Sequence, residues 1–346
     1  MEFTQTSASI QFETRALYEQ GFFSPLDYYF AKNMEAVADR SDPIVSASFA
    51  LVSKWLSLGH VCVDINDRAG TVQPLGDSDG NTFIYPDKET WLDALNRSDL
   101  VSAHPDRPFV LDASGRFYMA KFYDFQTRLV KNIVTRLSCK IPLPEKTTID
   151  DLLSEKFPDD RPEIQNQREA VKHGFIHGFT IISGGPGTGK TYITDAIREL
   201  SFQLAKLKNQ RDPIVISMAP TGKAASRMTH GRTIHSVLKP FMYKPGFRHH
   251  KDNLLQADVV IIDEASMIDM ALLTRLLEAI PISCRVILIG DSHQLASVQA
   301  GSVFSDICDA PGMASCIHQL TYNFRSHGKS GIQALAEAIN TNRPDI

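Results

Sequence analysis

The sequence predicts an α/β fold: a domain built on a buried parallel sheet, preceded by a smaller, mostly helical N-terminal domain. Three observations predict it. Four short runs rich in β-branched residues, FTIIS, PIVISMA, DVVIID and RVILIG, are apolar on both faces and separated by helical stretches, the pattern of strands covered by helices on each side. The first run enters a glycine-rich turn that opens a helix. The N-terminal third instead shows helix starts and helical periodicity. A chain of 346 residues with 43% apolar composition is long enough for two such cores.

In FFSPLDYYFAKNM, Ser24 is placed to cap a helix, Pro25 suits its first position and Asp27 completes a capping pattern. Leu26, Phe30, Met34 and Val37 then recur on one face. Asp42 and Pro43 start a second helix, which Gly59 stops. HVCVDI alternates like a strand, with Val61, Val63 and Ile65 on one side; GRFYMAKF is a second strand candidate, and a helix from Tyr123 to about Leu137 follows. This third carries no recognisable chemistry and reads as a packing or partner-docking module. At CKIPLPEKTTIDDLLSEKFPDDRPE the texture changes: Pro142, Pro144, Pro158 and Pro162 stand among charges, which is linker composition. The expected division is an N-terminal domain over 1–140, a linker over 141–162, the sheet domain over 163–323 and the start of a further domain over 324–346.

A net charge of -4 excludes a protein that is basic throughout, but leaves room for a local basic groove. The five cysteines are scattered without a CxxC, which suggests free thiols in a reducing cytosol. The N-terminus lacks a signal pattern and no apolar run approaches spanning length, so the expectation is a soluble, cytoplasmic protein without a membrane partner.

The chemistry begins at FTIISGGPGTGKTYIT. Gly184, Gly189, Lys190 and Thr191 stand at the G-x-x-x-x-G-K-[ST] spacing, after a strand and at the start of a helix whose Ile193, Ile197, Leu200 and Leu204 share a face. Across Gly184, Gly185, Pro186, Gly187, Thr188 and Gly189, backbone N–H groups can turn inward around phosphate oxygens, and the helix N-terminus adds its dipole. Lys190 would neutralise the β- and γ-phosphates of ATP, and the Thr191 hydroxyl would hold Mg²⁺. In ADVVIIDEASMID a buried strand delivers two carboxylates to its C-terminal end, where open α/β sheets bind ligands. Asp263 is the candidate Mg²⁺ ligand. Glu264 is the candidate to orient or deprotonate the attacking water.

The stretches ISGGPGTGKT, APTGKAASRM, TIHSVL, IIDEASMID and GDSHQLASVQAGSVFSDIC resemble superfamily 1 helicases, most of all the RecD family, the alpha subunits of exodeoxyribonuclease V in the RecBCD complex. SPLDYYFA and GHVCVDI add weaker likenesses, and the match is strongest from Gln167 to Cys308. The resemblance implies a RecA-like P-loop NTPase fold and an ATP-dependent, 5′ to 3′ DNA helicase subunit. It implies work on single-stranded DNA and double-stranded DNA ends beside RecB- and RecC-type subunits, in double-strand break repair and recombination. Gln167, whose amide offers a donor and an acceptor, would meet adenine's edge. Thr221, Gly222, Lys223, Arg227, Thr233 and His235 would touch the DNA backbone. Gln294, beside Glu264, would sense the γ-phosphate, and Asp291 would orient its loop. His249-His250 lacks a metal-ligand partner and reads as exposed loop.

LTYNFRS would lead out of the first RecA-like domain, and Arg325 would reach the γ-phosphate as a finger that stabilises transition-state charge. Only one helix' worth of sequence follows Arg325, whereas a second α/β domain needs on the order of a hundred residues. The expectation is one nearly whole motor domain, in a truncated form, a split gene product, or a chain completed by another. Two further readings stand beside the helicase subunit: an ATP-binding assembly module, and a RecD-like helicase outside the complex. GDSHQLASV and APTGKAASRM disfavour a generic P-loop switch or AAA-type ATPase.

Overall fold

The computed structural model describes residues 9–75, 81–139, 141, 145–292 and 303–324. They divide between two compact units, one ending at Thr127 and one beginning at Arg128.

The N-terminal unit is mostly helical. Ser24 caps the helix Pro25–Val37 with a reciprocal capping box, its hydroxyl accepting from the Asp27 N–H while the Asp27 carboxylate accepts from the Ser24 N–H. Asp42 caps the helix Pro43–Ser57, and Gly59 follows with a φ of 92°, in the left-handed region that glycine tolerates. The first helix departs from its expected face. Asp27 and Ala31 are its buried residues, Phe30 and Met34 are partly buried, and Leu26 and Val37 are 72% and 63% exposed. Two small sheets complete the unit. Ser9–Ile10, Thr82–Ile84 and Val72–Pro74 form one; Cys62–Asp64, Arg116–Met119, Phe109–Leu111 and Val101–Ser102 form the other. Stacked aromatics, among them Phe49 on Phe109 at 4.2 Å between centroids, fill its core.

The second unit holds one six-stranded parallel sheet: β1 Phe179–Gly184, β2 Val215–Ala219, β3 Arg232–Thr233, β4 Val259–Ile262, β5 Arg285–Gly290 and β6 Ile317–Leu320. Their spatial order is β3-β2-β4-β5-β1-β6. Every residue of β1 and β4 is buried, as expected of strands covered on both faces. The stretch expected as a linker is instead largely helical. In Lys146–Lys156, Ile149 and Leu153 point into the same core as Phe157, which follows the helix, and Ile193 and Ile197 of the helix after β1. The prolines and charges there bracket an amphipathic helix rather than a solvated tether.

One helix, Ala120–Ser138, leaves the first unit and continues into the second. Arg128 makes a bidentate pair with Glu278, at 2.7 and 2.6 Å. Two turns on, Arg136 is 1% exposed and donates to the carbonyls of Leu277, Ile280 and Pro281, at the C-terminal end of the helix Met270–Ala279. Burial pushes its guanidinium pKa down to about 10, still cationic at neutral pH. A cation at a helix C-terminus satisfies carbonyls that have no partner within the helix. No described helix is long and apolar enough to cross a membrane.

Candidate active site

The turn after β1 has the backbone that a phosphate cradle requires. Gly187 and Gly189 adopt φ of 81° and 88°, and the helix Lys190–Leu207 starts immediately after. A side chain at Gly184 would stand 2.7 Å from Leu320 Cβ, so β1 and β6 approach as closely as they do only because that position is glycine. Thr188 is buried and turned into the loop, donating to the Gly185 carbonyl at 2.9 Å. Lys190 Nζ curls over the turn and donates to the carbonyls of Gly184 and Gly185, at 2.5 and 3.1 Å. The Phe324 N–H closes the loop from the far side on the Gly187 carbonyl, at 2.8 Å.

β4 ends beside this turn. The Asp263 N–H still bonds to Met218 of β2, and its carboxylate accepts from the Glu264 N–H at 2.8 Å. Asp263 is buried, and burial raises its pKa, reinforced by the charge of Glu264 and opposed by Lys190 and Arg227. Glu264 sits at φ 53°. That left-handed conformation is unfavourable for glutamate and turns the chain sharply as it leaves the strand. The turn and the strand end share a cavity of about 460 Å³. Pro186, Gly187, Gly189, Lys190 and Thr191 of the turn line it together with Asp263, Glu264, Ala224, Arg227 and Phe324. The donor set fits a nucleotide with its magnesium ion: a lysine, a helix N-terminus and open N–H groups for phosphates, a hydroxyl and a carboxylate for the cation.

Gln167, expected to meet adenine, packs beside the phosphate turn. It is 4% exposed, and its amide nitrogen donates to the Thr188 carbonyl at 3.1 Å. Its neighbour Asn166 holds β6, with Nδ2 donating to the Gln319 carbonyl at 3.1 Å and its own carbonyl 2.9 Å from His318 Nε2. The helix Pro162–Ile176 thus fastens the phosphate turn and β6 through consecutive side chains.

Thr221 lies just beyond β2 and Thr233 ends the adjacent β3; both serve as helix caps, accepting from the N–H groups of Ala224 and Ser236, each at 3.2 Å. Gly222, Lys223 and His235 are exposed. His235 meets Phe247 edge-on at 5.7 Å between centroids. Beyond it lies a loop closed by a bridge between Pro240 and Phe247, with Met242 and Tyr243 at its tip 88% and 96% exposed. Sequence reasoning passed over these two; the aromatic-basic run KPFMYKPGF was the available signal. Of the pair expected in an exposed loop, His250 is exposed and His249 is half-buried; among the described residues no group of side chains is clustered to hold a metal ion. Asp291 is buried at the end of β5, and Ser292 bonds to Ser183 Oγ at 3.0 Å. The expected roles of Gln294 and Arg325 lie outside the described residues.

Two family models match the chain: an AAA domain over residues 164–345, and the N-terminal domain of the RecBCD enzyme subunit RecD over 19–118. The first gives a broad class that includes the AAA reading the motifs disfavoured; the second narrows it. The chain is similar to RecBCD enzyme subunit RecD of Mycolicibacterium smegmatis, 32% identical over 93% of this chain and 58% of that protein. The Haemophilus influenzae RecD subunit is 27% identical, over 95% of this chain and 62% of its own length. The chain thus spans about three-fifths of these relatives. The ATP-dependent RecD2 DNA helicase of Deinococcus radiodurans is 40% identical over 36% of this chain and 17% of its own. A Bacteroides Pif1 structure bound to single-stranded DNA aligns at 22% identity and a TM-score of 0.35, over 53% of this chain and 47% of that one.

Proposed function

Since the chain belongs to the AAA-domain family and carries a RecD N-terminal domain ahead of it, we propose that it is the ATP-hydrolysing motor portion of a RecD-type DNA helicase subunit. The observation that carries this reading is the single cavity onto which Lys190, Thr191, Asp263 and Glu264 all open. Lys190 exchanges its two loop carbonyls for the β- and γ-phosphates of ATP. Thr191 and Asp263 would hold Mg²⁺, which would supply charge neutralisation to the phosphates. Glu264 orients the attacking water and takes its proton.

Thr221, Gly222, Lys223, Thr233 and His235 contact the backbone of single-stranded DNA. The exposed side chains of Met242 and Tyr243 add an apolar platform on which bases stack. With both hydroxyls of Thr221 and Thr233 already accepting caps, each is left to donate to a phosphate oxygen. The N-terminal unit docks on RecB- and RecC-type partners in a cytoplasmic complex acting on DNA ends in double-strand break repair. The exposed residues Leu26, Tyr29 and Val37 of one helix supply apolar surface for that contact. A match to a RecD subunit over 93% of this chain, against 36% for the RecD2 helicase, favours the subunit reading. Polarity, 5′ to 3′, follows the family.

Titration calorimetry with Mg²⁺ and a non-hydrolysable ATP analogue tests the reading. Lys190→Ala is expected to abolish binding. Equal affinity in wild type and variant would place the nucleotide elsewhere.

A further inference from the structure

We propose that Arg227, which lies in the segment expected to grip DNA, instead contacts the terminal phosphate of the bound nucleoside triphosphate. The proposal rests on the reading of the cavity as the ATP site.

The strand register brings this about. β2 and β4 are parallel neighbours with Met218 opposite Ile262, so the chain leaves both strands at the same end of the sheet. One exit leads to Asp263 and Glu264, the other to Arg227. The short helix Gly222–Ala225 buries Ala224 and Ala225, and Met228 is buried just beyond. Arg227 lies between these anchors, its N–H bonded to the Ala224 carbonyl at 3.1 Å. Its side chain lines the same cavity as Lys190, whereas Lys223 does not.

The guanidinium has no hydrogen bond or salt bridge among the described residues, although two carboxylates share its cavity. Lys190, in contrast, is engaged by the carbonyls of Gly184 and Gly185. A cation in the position of Arg227, with all five N–H donors available, suits the oxygens on which charge accumulates as the terminal phosphoryl group departs. It also sits four residues along the chain from Lys223, so a strand held by Lys223 and a phosphate held by Arg227 would be read by one short segment.

The test uses Arg227→Ala and Arg227→Lys in the 346-residue chain. Affinities are measured for the Mg²⁺ complex of a non-hydrolysable ATP analogue, for Mg²⁺–ADP, and for a thymidine oligonucleotide without nucleotide. Arg227→Ala is expected to lower the preference for the analogue over ADP by about tenfold or more. Oligonucleotide affinity should stay unchanged, and Arg227→Lys should recover part of the loss. An unaltered preference for the analogue overturns the proposal, as does weakened oligonucleotide binding in the absence of nucleotide. Lys190→Ala runs alongside: if it binds the analogue like wild type, the ATP-site reading itself fails, a result distinct from failure of Arg227 alone.

Discussion

Replacing Gln167 with alanine separates two roles for one side chain. An adenine reader would face the ligand; Gln167 is 4% exposed and donates to the Thr188 carbonyl at 3.1 Å. Removing the donor leaves that buried carbonyl unsatisfied, at a cost of about 1–3 kcal/mol. At 1.4 kcal/mol per decade this amounts to roughly 5- to 150-fold in any affinity that needs the loop in its present shape. The expected result by calorimetry is an equal loss for the Mg²⁺ complexes of an ATP analogue, a GTP analogue and inorganic pyrophosphate. Gly189→Ala supplies the second arm. A Cβ there would stand 2.2 Å from Gln167 Nε2, and the φ of 88° costs a non-glycine residue about 1–2 kcal/mol by itself. In the native background Gly189→Ala therefore displaces the amide and strains the backbone; in the Gln167→Ala background only the strain remains. The double-mutant cycle should show a coupling of about 1–3 kcal/mol. A loss confined to adenine nucleotides, or a cycle that is simply additive, would refute the clamp.

Glu264→Gln should retain nucleotide affinity while phosphate release falls by about 10²–10⁴-fold; an unchanged turnover would move the base elsewhere. Because burial raises the Asp263 pKa above the ordinary 3.8, this carboxylate takes up its proton at a higher pH than a free aspartate. Affinity for Mg²⁺–nucleotide should therefore decline early on acidification, and Asp263→Asn should flatten that part of the pH profile; parallel profiles would remove Asp263 from the metal. Arg136→Ala strips a buried cation from three carbonyls and should destabilise the second unit by about 3–5 kcal/mol in urea unfolding, with a loss below about 1 kcal/mol speaking against the clamp.

Much of the second unit was legible because its signals are local. Buried parallel strands read as apolar runs, and the cradle combines glycine, lysine and threonine in consecutive positions. The caps at Ser24 and Asp42 were equally local. What escaped depends on partners remote in sequence. The outward turn of Leu26 and Val37 is set by where the helix Pro43–Ser57 packs. The short strands Ser9–Ile10 and Thr82–Ile84 acquire meaning only by pairing with each other. The helix Lys146–Lys156 was hidden by flanking prolines, although Ile149 and Leu153 carry helical spacing. Gln167 and Arg227 were flagged as functional residues, but their surroundings follow from the packing of one helix on a loop and from the register of β2 against β4, neither of which is written in the motif itself.

The place of β1 within the sheet bears on how the site comes into being. Its two neighbours are β5 and β6, the last two of the six strands to be synthesised. A nascent chain that has just emitted the phosphate turn therefore holds a strand with both edges unpaired, while β2, β3 and β4 can already associate. Closure waits on contacts of long sequence separation, the slow class in folding. The cradle is thus read early from the gene yet assembled late in the ribosomal product, and nucleotide affinity reports completion of the fold rather than an intermediate along it.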